Sequence, residues 1–511
     1  MKQFSLFLLV ISVSSLLFLL FSFKFDIFQY GDNCGYMILG MSFAEGKGFL
    51  NIALPEPLHF LWWPPGFPFF IALFYSVFGP NWYVLKLIIF ILLNIALLFY
   101  SMMVVETVRN NFKVILILLA CCFSSGIHLL SSYLYSETLY IAFSIYYFFI
   151  WHIWNKKLTF FRIVILSILS IYIASIRLIG LSLPLALIFY LFFFTKKDRK
   201  LKLYGLIPFL SLIAYIYITL FYKPLQVDSF RATIGFHPRF SSVLAGKLSE
   251  DSVSICKILY YYFDKVEIFI RGYGLTLIPQ SIIRTIYDLY EMNKIKAVFM
   301  ALVTSLVIFG WFLALGKNKL LNLYILIYMG ILYAYGPLYV RLLVPIIPFL
   351  FLYFYLGMER IIYKLVQSKK SAMIIFHIFW SIVIIDNIYL SFTNPKKTMP
   401  AQFGDKGYQD CIEWIVKYSK PDQVIASQVS SYLFLLRGKY CIPYFGAKTS
   451  NEIISYLDIH KVKYLIISPF YRRSRYTYMK YVKKAVKDYP EKFKNVFQEK
   501  KDGSYILEYF Y

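Results

Sequence analysis

The sequence predicts an α-helical protein that crosses a membrane many times and carries a small α/β domain outside it. Apolar residues make up 59% of the 511 residues, aromatic residues 21% and charged residues 16%, with a mean hydropathy of +0.63. Soluble domains hold roughly 45–50% apolar residues, so this excess must face lipid. The long apolar runs stop near residue 392, where strand and helix patterns begin to alternate. This composition excludes an ordinary soluble enzyme, a disordered chain and a coiled coil.

The first apolar run, Phe4 to Phe23, is predicted to be an uncleaved membrane anchor. It is too long for the hydrophobic region of a signal peptide, and no small-residue cleavage site precedes Lys24. Further runs of spanning length follow at Tyr83–Val105, Val114–Leu130, Thr138–Trp154, Ile163–Ile176, Leu181–Phe194, Leu203–Phe221, Ala297–Leu315, Leu320–Tyr335, Leu342–Gly357 and Ala372–Phe392. Together they predict about eleven transmembrane helices.

The loops between these runs sort by charge. Basic residues concentrate at the N-terminus and in alternate loops, which are therefore expected to be cytoplasmic. They are Lys2, Arg109, Lys113, Lys156, Lys157, Arg162, Lys196, Lys197, Arg199, Lys200, Lys202, Lys317, Lys319, Arg360, Lys364, Lys369 and Lys370. The net charge of +26 thus reflects topology and does not indicate nucleic-acid binding.

The long segments all fall on the opposite, extracytoplasmic side. They are a first outer loop (residues 24–82), a second long outer loop (222–296) and the tail (393–511). No Asn-x-Ser/Thr sequon occurs, which favours a bacterial inner membrane over an endoplasmic reticulum. We therefore predict a transmembrane domain over residues 1–392 and an extracytoplasmic α/β domain over 393–511.

The tail shows the periodicities of a small α/β domain. They predict helices at Asp405–Ser419, Thr449–Leu457 and Ser474–Tyr489, strands at Gln423–Ser427, Lys439–Tyr444 and Tyr464–Ser468, and a terminal hairpin turning at Asp502-Gly503. Cys411 and Cys441 both fall here, and they either pair in an oxidising compartment or stay as buried thiols. The six cysteines of the chain lack the spacing of a zinc site or a disulfide framework.

The first outer loop holds the densest group of candidate functional residues. Gly31-Asp32-Asn33 precedes an apolar stretch, Tyr36 to Ala44, that predicts a short helix at the membrane surface with Asp32 at its start. A turn at Gly46-Lys47-Gly48-Phe49 follows. Pro64-Pro65-Gly66-Phe67-Pro68 then stiffens the return path, and a second interfacial helix is predicted over Phe69–Phe78.

This arrangement resembles the GT-C superfamily of glycosyltransferases, which includes the dolichyl-phosphate-mannose-protein mannosyltransferases and the bacterial lipid A aminoarabinose transferases. The resemblance covers nearly the whole chain and depends on the order and sidedness of several short motifs. They are Asp32-x-x-x-Tyr36, Gly46-x-Gly48-Phe49, Pro64-Pro65-Gly66-Phe67-Pro68, Ser136-Glu137, Arg177-Leu178-Ile179-Gly180, Arg341-Leu342-Leu343-Val344-Pro345-Ile346-Ile347-Pro348, Glu413-Trp414-Ile415, Pro421-Asp422-Gln423-Val424-Ile425-Ala426 and Val462-Lys463-Tyr464-Leu465-Ile466-Ile467.

The resemblance implies a GT-C fold and an inverting transfer of one sugar from a polyprenyl-phosphate donor. The acceptor would be extracytoplasmic: lipid A, a polysaccharide, another glycan or a protein. Such a transfer needs a base for the acceptor hydroxyl, and Asp32 is the candidate. The leaving lipid phosphate needs fixed cations, for which Arg177 and Arg341 are placed at the outer ends of helices.

The remaining candidates are less specific. Glu137 is a candidate second carboxylate that binds substrate, although a helix N-terminus favours an acid there by itself. Tyr36, His59 and Trp63 are candidate contacts for the sugar or the acceptor. Many GT-C members carry a second acid directly after the catalytic aspartate, whereas this chain has Asn33. We therefore expect no metal and no other cofactor.

Two other functions stay open on the sequence alone. An O-antigen polymerase or ligase is also polytopic and uses outward-facing arginines, but it does not account for the Asp32 loop and the α/β tail. A non-enzymatic transporter or flippase of lipid-linked sugars would predict internal repeats and charged or broken helices at the bilayer midplane. We find no convincing repeat.

Overall fold

The computed structural model describes residues 2–21, 23, 32–59, 63–195, 199–221, 293–335, 342–393, 406–427, 430–442, 449–468, 478–499 and 503–511. Contacts between Cα atoms divide the chain into two compact units. The first unit, here called the helical unit, contains Met1–Phe25, Leu61–Phe67 and Trp82–Lys396. The second, the sheet unit, contains Asp26–Phe60, Pro68–Asn81 and Lys397–Tyr511. Most of the first outer loop therefore belongs to the same unit as the C-terminal residues.

The described part of the chain is mainly helical. The α-helices are α1 (Lys2–Phe21), α2 (Asp32–Ala44), α3 (Gly66–Phe78), α4 (Trp82–Val108), α5 (Asn111–Cys122), α6 (Ser125–Ser131), α7 (Ser136–Trp154), α8 (Phe160–Ile176), α9 (Ser182–Phe189), α10 (Arg199–Tyr204), α11 (Leu206–Phe221), α12 (Asn293–Ala314), α13 (Lys319–Tyr335), α14 (Ile347–Leu365), α15 (Lys369–Thr393), α16 (Lys406–Tyr418), α17 (Ser430–Arg437), α18 (Ser450–Ile459) and α19 (Tyr478–Asp488). Short 3₁₀ turns cover Leu178–Leu181, Val344–Ile346 and Pro490–Lys492, and a π-helical turn covers Tyr190–Phe194.

Each apolar run predicted to span the membrane is helical in the structure. Among the described residues, five helices are both long and apolar enough to cross a bilayer: Gln3–Leu20, Trp82–Val108, Arg199–Tyr217, Val344–Leu365 and Lys369–Tyr389. Shorter apolar helices occupy the other runs. The chain is thus a multi-pass membrane protein.

One predicted span, Val114–Leu130, is divided into two helices. The break comes at Ser124, whose backbone is not helical (φ −58°, ψ 118°). It frees carbonyl groups at the end of α5, and one of them, on Cys122, hydrogen-bonds to the His128 ring. Backbone polar groups that lose their helical partner inside a membrane protein need such a replacement.

Two glycines set a close helix crossing in the helical unit. A Cβ built on Gly357 of α14 would lie 3.0 Å from the Gly310 nitrogen of α12, and a Cβ on Gly310 would overlap the carbonyl oxygen of Tyr353. Small residues at a crossing let two helix backbones approach, which is the usual way in which membrane helices gain packing energy.

The sheet unit contains a five-stranded sheet. Its strands are β3 (Val424–Ser427), β4 (Cys441–Ile442), β5 (Val462–Ile467), β6 (Phe493–Gln498) and β7 (Tyr505–Tyr509), after a separate hairpin of β1 (Leu50–Asn51) and β2 (Leu58–His59). The strand order is β4-β3-β5-β7-β6. β3 pairs in parallel with β4 and β5, and β7 pairs antiparallel with β5 and β6.

The sheet elements coincide with the strands and helices predicted from the sequence, with one addition. Helix α17 was not predicted, although Gly438 follows it with a positive φ of 65°, which is a common helix C-terminal signal. Asp502 and residues 443–448 and 474–477 lie outside the described residues. Cys411, on α16, and Cys441, on β4, are both buried and form no disulfide, so the interpretation as separate thiols fits this structure.

Helix α2 forms where the sequence predicted a short helix. In the structure every residue from Asn33 to Gly40 is buried. The apolar residues of this helix are spread around its axis, and a helix of that kind is normally covered on all sides.

Candidate functional site

A buried ion pair joins two of the predicted site residues in the helical unit. Nη1 of Arg177 lies 2.7 Å from Oε1 of Glu137. The Glu137 side chain is completely buried and that of Arg177 is 11% exposed. Nη1 of Arg177 also donates a hydrogen bond of 2.9 Å to the hydroxyl of Ser136. The guanidinium is therefore held in a fixed orientation by two neighbouring residues of α7.

Helix ends bring these two charges together. Glu137 lies in the first turn of α7, and Arg177 is the residue that directly follows α8. A carboxylate is favoured at a helix N-terminus and a guanidinium at a C-terminus, so each charge also interacts favourably with its own helix. The pair is thus stabilised from both sides in a largely buried site.

Local backbone geometry fixes the position of Arg177. Its backbone is extended (φ −148°, ψ 133°), and its carbonyl accepts a 2.8 Å hydrogen bond from the N–H of Gly180. A Cβ on Gly180 would lie 2.8 Å from the Ala174 Cα, so only glycine lets the 3₁₀ turn fold back onto α8. The Arg-Leu-Ile-Gly motif therefore forms a tight turn.

The proline-rich motif of the first outer loop packs against the same helix end. A Cβ built on Gly66 would lie 2.6 Å from the carbonyl carbon of Ser175 and 2.7 Å from the nitrogen of Ile176. Gly66 therefore permits a backbone approach that any side chain would prevent. Because Ile176 immediately precedes Arg177, this contact supports the end of α8 from which the arginine projects.

Tyrosine side chains make separate polar contacts in the same bundle. Tyr140, one turn after Glu137, has its hydroxyl 3.1 Å from that of Tyr324 on α13. The ring of Tyr324 packs edge-on against that of Tyr328, 5.6 Å away, and the Tyr328 hydroxyl donates a 2.6 Å hydrogen bond to the carbonyl of Leu342. Leu342 follows Arg341, which itself lies outside the described residues.

The sequence analysis missed one buried cation, Lys86. It lies in α4 near the predicted outer end of that span and is only 1% exposed. Its ammonium is 4.6 Å from the centre of the Phe23 ring and 5.8 Å from that of Tyr133, both within reach of a cation–π attraction. A single lysine inside a long apolar run was the available signal, since ionisable residues within membrane helices are expensive and mostly functional.

The other predicted site residues fall in different parts of the chain. In the sheet unit, Asp32 is the first residue of α2, Tyr36 is buried one turn later, and His59 pairs with Leu50 in the β1–β2 hairpin. Trp63 belongs to the helical unit and is half-buried. The structure thus brings Glu137 and Arg177 into direct contact and places Asp32 and Tyr36 on one short helix.

No group of three or more His, Cys, Asp or Glu side chains comes together among the described residues. The carboxylate of Glu137 is engaged by a guanidinium. The helical unit offers two largely buried cations near helix ends, Arg177 and Lys86. Such groups suit an anionic ligand, and arginine matches phosphate oxygens especially well.

The sequence matches no protein-family model and no curated protein. Solved structures, in contrast, share the fold over nearly the whole chain. The Archaeoglobus fulgidus oligosaccharyltransferase, tethered to an acceptor peptide containing the NVT sequon, is 11% identical with a TM-score of 0.59, over 99% of this chain and 73% of the other. The same archaeal enzyme, AglB, in complex with an inhibitory peptide and a dolichol-phosphate, is 11% identical with a TM-score of 0.56, over 98% and 74%.

A second protein of known structure matches over nearly its whole length. ArnT from Cupriavidus metallidurans bound to undecaprenyl phosphate is 12% identical with a TM-score of 0.54, over 98% of this chain and 97% of the other. ArnT and AglB are both GT-C glycosyltransferases. The chain described here therefore has the fold of GT-C glycosyltransferases, as the sequence analysis predicted.

Proposed function

We propose that this protein is an integral-membrane glycosyltransferase that moves one sugar from a polyprenyl-phosphate donor to an extracytoplasmic acceptor. The observation that carries this proposal is the fold, which is shared along the whole chain with transferases solved in complex with undecaprenyl phosphate and dolichol-phosphate. The buried cations at the outer helix ends support it, because a lipid phosphate is the anion that such a transferase must hold.

The proposed reaction is a single displacement. Asp32 acts as the general base and takes the proton from the acceptor hydroxyl, whose oxygen then attacks the anomeric carbon of the donor sugar. The bond between that carbon and the lipid phosphate breaks, and the polyprenyl phosphate leaves with the bonding electrons. Attack from the face opposite the leaving group inverts the anomeric centre.

Arg177 and Arg341 are proposed to bind the phosphate of the donor, and Lys86 is added as a third candidate. Its ammonium is buried against aromatic rings in an apolar span, and a cation removed from water attracts a phosphate more strongly than an exposed one does. Glu137 is assigned a different role from the one expected from the sequence. Its pairing with Arg177 supports a function in orienting that guanidinium, whereas direct substrate binding would require it to give up this partner.

The proposed setting is the bacterial inner membrane, with the N-terminus in the cytoplasm and the C-terminal residues outside. The acceptor is proposed to be an envelope lipid, glycan or protein. We also propose that transfer requires no metal, because Asn33 stands directly after Asp32, where many GT-C members carry a second acid. Activity should therefore persist when membranes are treated with EDTA.

The decisive experiment uses a strain that lacks this protein. Lipid A, surface polysaccharide and envelope glycoproteins are compared by mass spectrometry after complementation with wild type, Asp32→Asn or Glu56→Gln at matched membrane levels. Glu56 is an exposed acid of the same loop and serves as the control. We expect one sugar to be absent after deletion, to return with wild type and Glu56→Gln, and to stay absent with Asp32→Asn.

Two outcomes would contradict the proposal. If Asp32→Asn fully restores the missing sugar, Asp32 is not the general base and serves only to form a turn. Accumulation of a lipid-linked precursor on the cytoplasmic side would instead indicate a transporter or flippase.

A further inference from the structure

The sheet unit encloses the helix that begins at Asp32. Ile38 of α2 forms a small apolar cluster with Ile52 and Ala53 of the loop that follows β1. Met41, Leu50, Phe434 and Leu435 pack against this cluster. Since Phe434 and Leu435 belong to α17, a helix of the C-terminal α/β region contacts α2 directly. Ile38 and Phe434 are 396 positions apart in the sequence.

Backbone contacts reinforce this packing. The N–H of Cys441 on β4 donates a 3.2 Å hydrogen bond to the carbonyl of Ala53. β4 is the edge strand of the five-stranded sheet, so the outer-loop segment covers part of an edge that would otherwise be open. Leu54, the next residue, packs against the main core of the sheet. The loop that follows α2 is therefore bound to the sheet by its backbone and by its side chains.

A second helix fixes α2 from another direction. A Cβ built on Gly40 would lie 2.7 Å from the Cβ of Ile71 on α3. The backbone of α2 therefore packs directly against the side chain of Ile71. Along α2, Ile38 and Met41 point towards α17 and the hairpin, whereas Gly40 lies on the face towards α3. Contacts on two faces leave this short helix little freedom to shift or rotate.

We propose that the C-terminal α/β region positions the catalytic helix, with Phe434 and Leu435 of α17 acting as positioning residues for Asp32. This inference rests on the proposed function, because it concerns the base of that reaction. A general base must lie within hydrogen-bond reach of the proton that it removes, and a displacement of about 1 Å can cost on the order of 100-fold in rate. The α/β region would then be part of the working site rather than a separate acceptor-docking module.

The variant that tests the proposal is Phe434→Ala, with Phe434→Leu as the conservative form and Ile459→Ala as the control. Ile459 is an exposed apolar residue of α18, 74% accessible, so its truncation removes no contact with α2. Full-length protein is used in each case. Leu435→Ala provides a second variant in case Phe434→Ala does not accumulate in the membrane.

A native thiol reports on the position of α2. Cys34 lies one turn before Ile38 on the same side of the helix and is buried. Burial raises the pKa of this thiol to about 12, so it reacts slowly while the helix is covered. In a form whose other five cysteines are replaced by alanine, labelling of Cys34 by a maleimide measures exposure of α2 independently of any enzymatic activity.

Three measurements are combined: Cys34 labelling, binding of undecaprenyl phosphate to purified protein, and the glycan product of the complemented deletion strain. We expect Phe434→Ala to label about 10-fold faster, to bind undecaprenyl phosphate as wild type does, and to form at least about 10-fold less product. Phe434→Leu should restore most of the product and the protection, and Ile459→Ala should match wild type in all three.

Several results would overturn the proposal. If Phe434→Ala leaves Cys34 protected, α17 does not hold α2, whatever happens to the product. If Cys34 becomes reactive while product formation is unchanged, the contact does not position the base. Failure of the proposed function has a separate signature, since the wild type itself would then form no glycan product while the labelling still reports on the packing of α2.

Discussion

Nη1 of Arg177 and Oε1 of Glu137 are 2.7 Å apart, and the carboxylate is completely shielded from solvent. The two residues come from different helices, 40 positions apart in the sequence. Taking either charge out of solvent is costly, and their attraction offsets that cost only while both partners are present. The ion pair therefore couples the stability of the helical unit to the orientation of Arg177, which is proposed to bind the donor phosphate.

The first prediction concerns this pair. Glu137→Ala or Arg177→Ala alone should lower the free energy of unfolding by about 3–5 kcal/mol, because each leaves a buried charge without its partner. The double variant should be less destabilised than the sum of the two single variants. Unfolding in detergent is measured for the purified wild type, the two single variants and the double variant. Additive single effects would show that the pair contributes nothing specific.

The second prediction concerns Lys86. Lys86→Met keeps most of the side-chain volume and removes the charge, so folding should be preserved. Because a hydrogen bond to a charged group contributes about 1.5–3 kcal/mol, binding of undecaprenyl phosphate should weaken about 10- to 100-fold. Lys417→Met, at an exposed position of α16, is the control. If the Lys86 and Lys417 variants bind undecaprenyl phosphate equally well, Lys86 does not contribute to phosphate binding.

The third prediction concerns the crossing of α12 and α14. Gly357→Ala should destabilise the protein by about 1–3 kcal/mol, because the added methyl group must push the two helices apart. Gly330→Ala is the matched control, since a Cβ there meets no atom within 4 Å. Thermal unfolding in one detergent compares the two variants. A Gly357 variant as stable as the Gly330 variant would mean that the crossing can relax without cost.

The fourth prediction is a dependence on pH. Burial raises the pKa of Cys34 from 9.0 to about 12, so the thiol stays neutral in the folded protein while it ionises in the unfolded chain. Between these two values the unfolded state binds fewer protons, and stability therefore falls as the pH rises above 9. Near pH 10 the contribution of this thiol is on the order of 1 kcal/mol. Unfolding measured at pH 8 and pH 10 should show a smaller loss for Cys34→Ala than for wild type.

The sequence alone determined the architecture at the level of elements. Long apolar runs can only be helices in a bilayer, and the alternation of strand and helix patterns after residue 392 predicts an α/β sheet, because both signals are local and periodic. Helix α17 escaped prediction because eight residues between two short strands carry a weak periodic signal.

Tertiary structure decided which of these elements meet. The sequence does not reveal that Glu137 is neutralised by Arg177, that Lys86 is covered by the rings of Phe23 and Tyr133, or that α2 is enclosed by Phe434 and Ile71. Each of these contacts joins residues far apart in the chain, and nothing in the local pattern of either partner specifies the other. Burial and pairing of charge are properties of packing, so they became visible only once the helices and the sheet were assembled.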